Sequence, residues 1–309
     1  MKIIFFGSDD FATAHMEALK AGGHEILACV TSPDKPRGRG LQVTPSPVKE
    51  FAVRNKLPVF QPENIKDQAF LRAMKEFNCD LFVVIAYGRI LPAELLQVPY
   101  VCAINVHGSL LPKYRGAAPI NWAVINGETE TGVTIIKMNA AMDGGDIFAQ
   151  ARISIGARDT SQTLRAGMIE AGKKLLVGTI KDIEDNNYTL TVQDSHAVTL
   201  APKLTKELGL IRWDKPAVQI HNLVRGLLPW PAAYMSWGGK IVKVLESRLP
   251  AVSAGGKPPG EVIAVSPEGL LVATGQGNLL VTAVQPESGK PMDARSFAAG
   301  HRIAAGSRF

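Results

Sequence analysis

The stretch Val101-Cys-Ala-Ile-Asn-Val-His107, followed by Gly-Ser-Leu-Leu-Pro112, decides how the rest of the chain is interpreted. Its first part is an apolar run that alternates at its end, so we expect a buried strand with Asn105 and His107 projecting from one face. The Gly and Pro residues that follow prevent a simple continuation into a helix. An amide and an imidazole should therefore meet an irregular loop where a buried strand ends.

A third candidate for chemistry is Asp143, in the segment Met138-Asn-Ala-Ala-Met-Asp-Gly-Gly-Asp146, where glycines permit close approach to another element. An Asn amide can donate to a developing oxyanion, an imidazole can exchange a proton, and a carboxylate can orient and charge that imidazole. Ser109 is not in a Gly-x-Ser-x-Gly elbow, so the attacking group should belong to the substrate. The alternative is that Asn105 and His107 only close the strand with hydrogen bonds to the loop.

The order of apolar runs predicts the architecture. Strand patterns at 2–6, 25–31, 80–85, 101–107, 132–138 and 147–155 are interspersed with helical patterns at 11–20, 48–56, 67–77, 117–126 and 160–182. This indicates βαβ units and an α/β fold with a doubly wound, mostly parallel, Rossmann-like sheet. A nicotinamide dinucleotide site is disfavoured, because Gly7 stands alone where Gly-x-Gly-x-x-Gly is needed.

The last third has a different pattern. Asp214 is expected to cap a helix from Lys215 to Arg225, and five short alternating runs between 234 and 285 are separated by Gly and Pro. This pattern is typical of a small β-barrel such as an OB-like domain. We predict a catalytic domain over 1–187, a polar linker over 188–204 and the OB-like domain over 205–309.

Composition excludes several classes of protein. With 46% hydrophobic residues the chain can bury a sizeable core, and no segment approaches the roughly 18 apolar residues of a membrane span. Cys29, Cys79 and Cys102 are an odd number in apolar surroundings, so we expect buried, reduced thiols. The His and Cys residues lack metal-ligand spacing, so no metal is expected, and we expect a cytoplasmic protein.

The positive charge is uneven. Residues 203–309 hold thirteen Lys and Arg against seven Asp and Glu, which accounts for the whole formal excess of +6. A basic region joined to a neutral one favours a polyanionic partner, although +6 alone would also serve solubility. The Pro- and Gly-rich segment 32–47 is expected to form an irregular loop, and it carries Lys35, Arg37 and Arg39.

Several motifs stand in order along the chain: Asn105-Val-His107-Gly-Ser-Leu-Leu-Pro112, Arg115-Gly-Ala-Ala-Pro-Ile120, Met142-Asp-Gly-Gly-Asp146 and Pro202-Lys-Leu-Thr-Lys-Glu207. Together they resemble the formyltetrahydrofolate-dependent formyltransferases, and among these the enzymes that act on charged tRNA. The resemblance covers essentially all 309 residues. It implies catalytic roles for Asn105, His107 and Asp143.

The resemblance also implies ligands. It implies 10-formyltetrahydrofolate as the formyl donor, held by Tyr87, Gly88, Ile90, Leu91, Ser109, Leu110, Leu111, Pro112 and Met142. Initiator methionyl-tRNA is the implied acceptor, contacted by Lys35, Arg37, Arg39, Lys203, Lys206 and Arg212. The expected reaction, a step of translation initiation, is direct attack of the methionyl amine on the formyl carbon. Asn105 and His107 would hold the oxyanion while Asp143 orients the imidazole, in a protein expected to be a monomer.

Other functions are compatible with parts of the pattern. A formyltransferase acting on an amino sugar nucleotide would share the catalytic motifs, but would not need the basic appendage. An enzyme that hydrolyses the same folate is a further possibility. A passive RNA- or folate-binding protein would need no convergence of Asn105, His107 and Asp143, so the geometry of these residues is the decisive observation.

Overall fold

The computed structural model describes residues 1–37, 42–251 and 256–309. These residues form two compact units. The first unit contains Met1–Pro119, Thr131–Ile153 and Ala166–Ala201. The second unit contains Ile120–Glu130, Ser154–Arg165 and Pro202–Phe309, and it includes all four tryptophans of the chain.

Most of the expected elements are present, with small shifts of their ends. The strands are β1 Lys2–Gly7, β2 Glu25–Val30, β3 Lys35–Arg37, β4 Gln42–Thr44, β5 Val59–Phe60, β6 Leu81–Ile85, β7 Cys102–His107, β8 Arg115–Gly116, β9 Glu130–Lys137, β10 Ile147–Ser154, β11 Leu200–Ala201, β12 Ala233–Trp237, β13 Lys240–Arg248, β14 Val262–Ser266, β15 Gly269–Ala273, β16 Asn278–Pro286 and β17 Met292–Asp293. The helices are α1 Asp10–Ala21, α2 Pro47–Arg54, α3 Gln68–Glu76, α4 Ala93–Leu96, α5 Pro119–Ile125, α6 Ser161–Glu184, α7 Ala217–Gly226 and α8 Ala294–Gly300. Short 3-10 helices cover Ser195–Ala197 and Glu207–Gly209.

The first unit is built on a seven-stranded sheet in the order β10-β9-β7-β6-β1-β2-β5. The pairs β1–β2, β1–β6, β6–β7 and β2–β5 are parallel, whereas β9 pairs with β7 antiparallel. The apolar runs of β1 and β6 are buried, as strands covered on both faces should be. Because β1, β6 and β7 run in one direction, their carboxyl ends form one edge, where open α/β sheets bind ligands.

Three helices of this unit begin at residues whose side chains cap the helix N-terminus. Side-chain oxygens of Asp9, Ser46 and Asp67 accept backbone N–H groups in the first turns of α1, α2 and α3. Such capping satisfies donors that have no partner within the helix. The capping side chains therefore stabilise the beginnings of these three helices.

Two details differ from the sequence expectation. Segment 32–47 is not wholly irregular, because β3 and β4 pair as an antiparallel hairpin in which Pro36 is opposite Val43. A proline is tolerated there since a strand at an edge can do without one N–H donor. Asp214 does not cap α7; Pro216 occupies the cap position, whereas Asp214 lies 3.6 Å from the Nε atom of Arg212.

The segment predicted as a linker is paired to the first unit as far as Ala201. Thr191 and Ile147 exchange two backbone hydrogen bonds of 2.9 and 2.8 Å, and β11 pairs in parallel with β8. Thr199 accepts the Arg115 N–H at 2.9 Å. We use the name strap for residues 191–201. The predicted domain limits themselves remain a prediction.

The second unit is built on an antiparallel sheet in the order β12-β13-β16-β15-β14, with β17 on β16. Its core combines the inward faces of the strands with α7 and α8, and Phe297 of α8 is fully buried in it. The prediction was a doubly wound, mostly parallel sheet followed by a small OB-like β domain, and the mostly parallel α/β sheet followed by an antiparallel β-sheet domain confirms this fold class.

The buried side chain of Arg225, on α7, organises part of the second unit. Its Nη1 atom donates to the carbonyls of Gly156 at 3.2 Å and Asp159 at 2.9 Å, and its Nε atom donates to Asn222 at 3.1 Å. These bonds connect α7 to the 154–165 segment of the same unit. In the described parts of the chain, we find no helix with the length and apolarity needed to cross a membrane.

Candidate active site

Strand β7 positions two of the three candidate catalytic residues. Asn105 lies beside Val84 of β6, and His107 lies opposite Thr134 of β9. Their spacing of two residues places both side chains on one face of the strand. His107 is buried and Asn105 is partly exposed, so the Asn105 amide is more accessible to a ligand than the His107 ring.

The third residue reaches this face from the loop that follows β9. The Asp143 Oδ1 atom lies 3.3 Å from the Asn105 Nδ2 atom, which donates to it, and 3.6 Å from the His107 Nδ1 atom. The Oδ2 atom accepts the backbone N–H of Gly116 at 2.9 Å. The structure thus brings together the three residues that the sequence singled out.

The backbone of this loop depends on its residue types. Asp143 has φ of 50°, in the left-handed region that Asp tolerates better than most residues. A Cβ on Gly145 would lie 1.8 Å from the Lys137 carbonyl oxygen, which no side chain could accommodate. The Asp-Gly-Gly sequence therefore lets the carboxylate approach the end of β7 closely.

The orientation of the His107 ring follows from its second contact. Its Nε2 atom is 2.9 Å from the Tyr114 carbonyl oxygen, and because a carbonyl only accepts, Nε2 must carry the proton. The Nδ1 atom faces the Asp143 carboxylate. Both ring nitrogens therefore face protein acceptors, an arrangement that suits an imidazolium. Donation by His107 to an oxyanion would require the ring to leave one of these partners.

The residues implied for folate binding fall into two groups. Leu91 and Tyr87 are in the core of the first unit, Leu111 packs with Ile136 and Ile147, and the Ser109 hydroxyl donates to the Lys113 carbonyl at 2.6 Å. The members with accessible surface are Gly88, Ile90, Leu110, Pro112 and Met142. Ile90 is 67% exposed and Met142 is 54% exposed, so both leave apolar surface accessible to a ligand.

Two features near Ile90 are also relevant to a ligand. Gly88 has φ of 77° with open space where a Cβ would stand, so its backbone can face a flat ring. The buried hydroxyl of Tyr87 has no hydrogen-bond partner among the described residues. Met138, at the start of the Asp143 loop, packs against the same core cluster as Tyr87 and Leu91.

The cations implied for tRNA contact are only partly described. Lys203, Lys206 and Arg212 are exposed in the second unit. Arg39 lies outside the described residues, as do the side chains of Lys35 and Arg37. Within the ranges that the structure covers, no three His, Cys, Asp or Glu residues come together as a metal site would require.

Sequence reasoning missed three groups that hold the candidate residues in place. They are the Tyr114 carbonyl, the Gly116 N–H and the Gln193 side chain, whose Nε2 atom donates to the carbonyls of Asp143 at 2.8 Å and Gly145 at 2.7 Å. The first two are backbone groups, which leave no trace in residue type. Gln193 lies in a polar segment with no local pattern that marks it.

Two family models match the chain: Formyl transferase over residues 1–180, and Formyl transferase, C-terminal domain over residues 203–302. The chain belongs to the formyl transferase family.

Related proteins indicate which kind of formyl transferase the chain is similar to. The chain is 44% identical over 307 residues to the methionyl-tRNA formyltransferase of Desulforamulus reducens, covering 99% of this chain and 97% of that one. It is 42% identical over 308 residues to the methionyl-tRNA formyltransferase of Caldanaerobacter subterraneus subsp. tengcongensis, covering 99% of each. The enzyme is therefore a one-carbon group transferase similar along its whole length to methionyl-tRNA formyltransferases.

A solved structure supports the fold. A sugar 3N-formyl transferase, crystallised in the presence of dTDP and 5-N-formyl-THF, superposes with a TM-score of 0.69 at 19% identity. The match covers 93% of this chain and 97% of the other. At this identity the likeness establishes a shared architecture only.

Proposed function

We propose that this formyl transferase moves the formyl group of 10-formyltetrahydrofolate to the free amino group of L-methionyl-initiator tRNA. The observation that carries the proposal is the convergence of Asn105, His107 and Asp143 at the carboxyl end of β7. The names of the relatives point to the same acceptor. Asn105, His107 and Asp143 are the catalytic residues in this proposal.

Each of the three side chains has a defined task. The Asn105 amide has a second N–H besides the one that donates to Asp143, and we assign that donor to the carbonyl oxygen that gains negative charge. His107 supplies positive charge beside it, with its Nε2–H fixed on the Tyr114 carbonyl. Asp143 stabilises the imidazolium and orients the Asn105 amide. The attacking amine comes from the substrate. As it bonds to the formyl carbon, the bond from that carbon to N10 of the folate breaks, and the proton lost by the amine passes to N10 of the leaving folate.

The proposed folate site uses the accessible residues of the implied set. Exposed Ile90 and Met142 offer apolar contact that a flat heterocycle would remove from water, and Gly88 exposes backbone groups that can bond a pterin edge. Leu110 and Pro112 are the other accessible members of the implied set. The folate would supply the electrophilic formyl carbon. The chain would supply positioning and the charge around that carbon.

The tRNA part of the proposal depends on charge. The formal excess of +6 lies within residues 203–309, and Lys203, Lys206 and Arg212 are exposed there. Phosphate contacts by such cations release counterions, so binding should weaken steeply as salt rises. Lys35, Arg37 and Arg39 complete the proposed set of tRNA contacts. The enzyme is proposed to act as a monomer in the cytoplasm.

One assay separates this acceptor from the alternatives. The enzyme is incubated with 10-formyltetrahydrofolate and charged initiator methionyl-tRNA, an amino sugar nucleotide, or no acceptor, and the formylated product is measured. Formyl-methionyl-tRNA should form, without comparable formylation of the sugar or release of free formate. Formylation of the sugar alone would overturn the proposed acceptor, and formate release in every arm would identify a hydrolase.

Asn105→Ala tests the catalytic assignment. Removing one oxyanion donor typically lowers kcat by about a hundredfold to a thousandfold, so we expect a loss of this size with tRNA binding retained. The matched control is Asn187→Ala, since Asn187 is exposed beyond the end of α6. Near-full activity of Asn105→Ala with both substrates saturating would show that the amide has another role.

A further inference from the structure

Gln193 makes an unusual number of polar contacts for a residue outside the catalytic motifs. It is 9% exposed and belongs to the strap, between α6 and β11. Its Nε2 atom donates to the Asp143 and Gly145 carbonyls, while its Oε1 atom accepts from Arg115 through Nε at 3.0 Å and Nη2 at 2.7 Å. One buried amide thus makes four hydrogen bonds.

The orientation of this amide is determined by its partners. A guanidinium only donates and a carbonyl only accepts, so a flipped Gln193 amide would oppose donor to donor and acceptor to acceptor. Arg115 therefore directs the Gln193 NH₂ group towards the loop that carries Asp143. Charge-assisted bonds of this kind are stronger than neutral ones, so the orientation is firmly held.

The Gln193 side chain contacts the backbone of Asp143, which has an unfavourable conformation. Asp143 occupies the left-handed region at φ of 50°, and such residues persist where surrounding contacts enforce the conformation. Gln193 holds the carbonyl of Asp143 itself and that of Gly145, two residues later. The position of the carboxylate relative to His107 and Asn105 therefore depends on a side chain 50 residues away in sequence.

Two adjacent residues of β8, Arg115 and Gly116, both contribute to holding Asp143. The Arg115 side chain holds Gln193, and Gln193 holds the Asp143 backbone. The next residue after Arg115, Gly116, donates its N–H to the Asp143 side chain. Backbone and side chain of Asp143 are thus fixed from the same short strand, β8, by two separate routes.

We propose that Gln193 is a positioning residue for the formyl transfer, acting through Asp143 and touching no substrate. The proposal rests on the proposed function, in which Asp143 stabilises the His107 imidazolium and orients the Asn105 amide. Gln193→Met keeps the length of the side chain and removes all four hydrogen bonds. Gln193→Glu keeps an acceptor for Arg115 and removes the donor to the loop.

Steady-state kinetics give the first test. A misplacement of about 1 Å at a catalytic group can cost about a hundredfold in rate, so Gln193→Met and Gln193→Glu should each lower kcat by about tenfold to a hundredfold. KM for both substrates should stay within about twofold, because Gln193 touches neither. Gln68→Met, an exposed position on α3, is the matched control. Wild-type kcat in Gln193→Glu would overturn the proposal.

A double-mutant cycle separates positioning from general stability. In an Asp143→Asn background, Gln193→Met should lower kcat by less than about threefold, because the group that it positions has already lost its charge. If Gln193 acted independently of the carboxylate, the same factor would appear in both backgrounds. Equal factors would therefore refute the assignment.

Amide hydrogen exchange, followed by NMR, tests the positioning without any activity. The Gly116 N–H donates to Asp143, whereas the next amide, that of Ala117, donates to the Ala201 carbonyl at 2.8 Å. In Gln193→Met the Gly116 amide should exchange at least about tenfold faster, with Ala117 unchanged as the internal control. Unchanged exchange at Gly116, or equal acceleration at both amides, would overturn the proposal. A wild-type enzyme that does not formylate methionyl-tRNA would refute the proposed function and leave this result standing.

Discussion

Replacing Asp143 by Asn removes the negative charge and one of its two acceptor oxygens. Asn is nearly the same size, tolerates the left-handed φ of 50° and can still accept the Gly116 N–H through its amide oxygen, but its NH₂ group then replaces the oxygen that accepts from Asn105 and faces His107. The backbone of the loop should therefore stay in place. The change tests whether a negative charge beside His107 is required for the transfer.

The size of the effect follows from the geometry. The carboxylate oxygen of Asp143 is 3.6 Å from Nδ1 of His107, and the two side chains are 14% and 6% exposed. At this separation, opposite unit charges attract by about 4.6 kcal/mol with an effective dielectric constant of about 20, and by about 2.3 kcal/mol with about 40. If this attraction is needed in the transition state, kcat should fall between about 50-fold and about 2000-fold.

The assay is single-turnover transfer of labelled formyl groups to methionyl-tRNA with enzyme in excess, which isolates chemistry from product release. Asp182→Asn, exposed on α6, controls for loss of a carboxylate as such. Thermal unfolding should place Asp143→Asn close to the wild type. A rate within about threefold of the wild type would show that the imidazole works without its carboxylate, and the mechanism proposed for His107 would have to be abandoned.

Two further predictions concern stability and reactivity. Arg225→Met leaves the carbonyls of Gly156 and Asp159 without their donor, which should destabilise the second unit by about 2 to 4 kcal/mol. Tryptophan fluorescence in a urea titration reports that unit selectively, and a loss below about 1 kcal/mol would contradict the expectation. Burial raises the pKa of the Cys29 and Cys79 thiols to about 12 and that of Cys102 to about 11. At pH 8 less than about one thiol in 500 is then ionised, so a thiol reagent should label the cysteines of the native protein slowly. In denaturant the reagent should label all three cysteines rapidly. Fast labelling of the native protein would refute this prediction.

Residue types were sufficient to predict the strands of the sheet and the shared face of Asn105 and His107. An apolar run such as Leu81–Ile85 removes its side chains from water only when the strand is buried. The alternation of residues along a strand places Asn105 and His107 on one face. Helix caps such as Ser46 were equally visible in retrospect. What could not be predicted was direction: nothing in the residues of β9 specifies that it pairs antiparallel to β7.

The groups that hold the candidate residues in place could not be predicted for another reason. Tyr114 contributes only its carbonyl and Gly116 only its N–H, and every non-proline residue carries such groups. Gln193 contributes a side chain, but the groups that it holds in the Asp143 loop are again carbonyls, separated from it by 50 and 48 positions. A sequence reveals groups that differ between residues, so contacts made through shared backbone atoms become visible only in three dimensions.

The strap has a practical consequence for dividing the polypeptide. The two family matches end at residue 180 and resume at 203, so the strap lies in neither of them. A fragment trimmed at residue 180 would discard Gln193 together with Thr199 and Ala201, which receive the N–H groups of Arg115 and Ala117. Such a fragment would keep the three proposed catalytic side chains and lose contacts that hold them in place, so an N-terminal fragment should extend at least to Ala201.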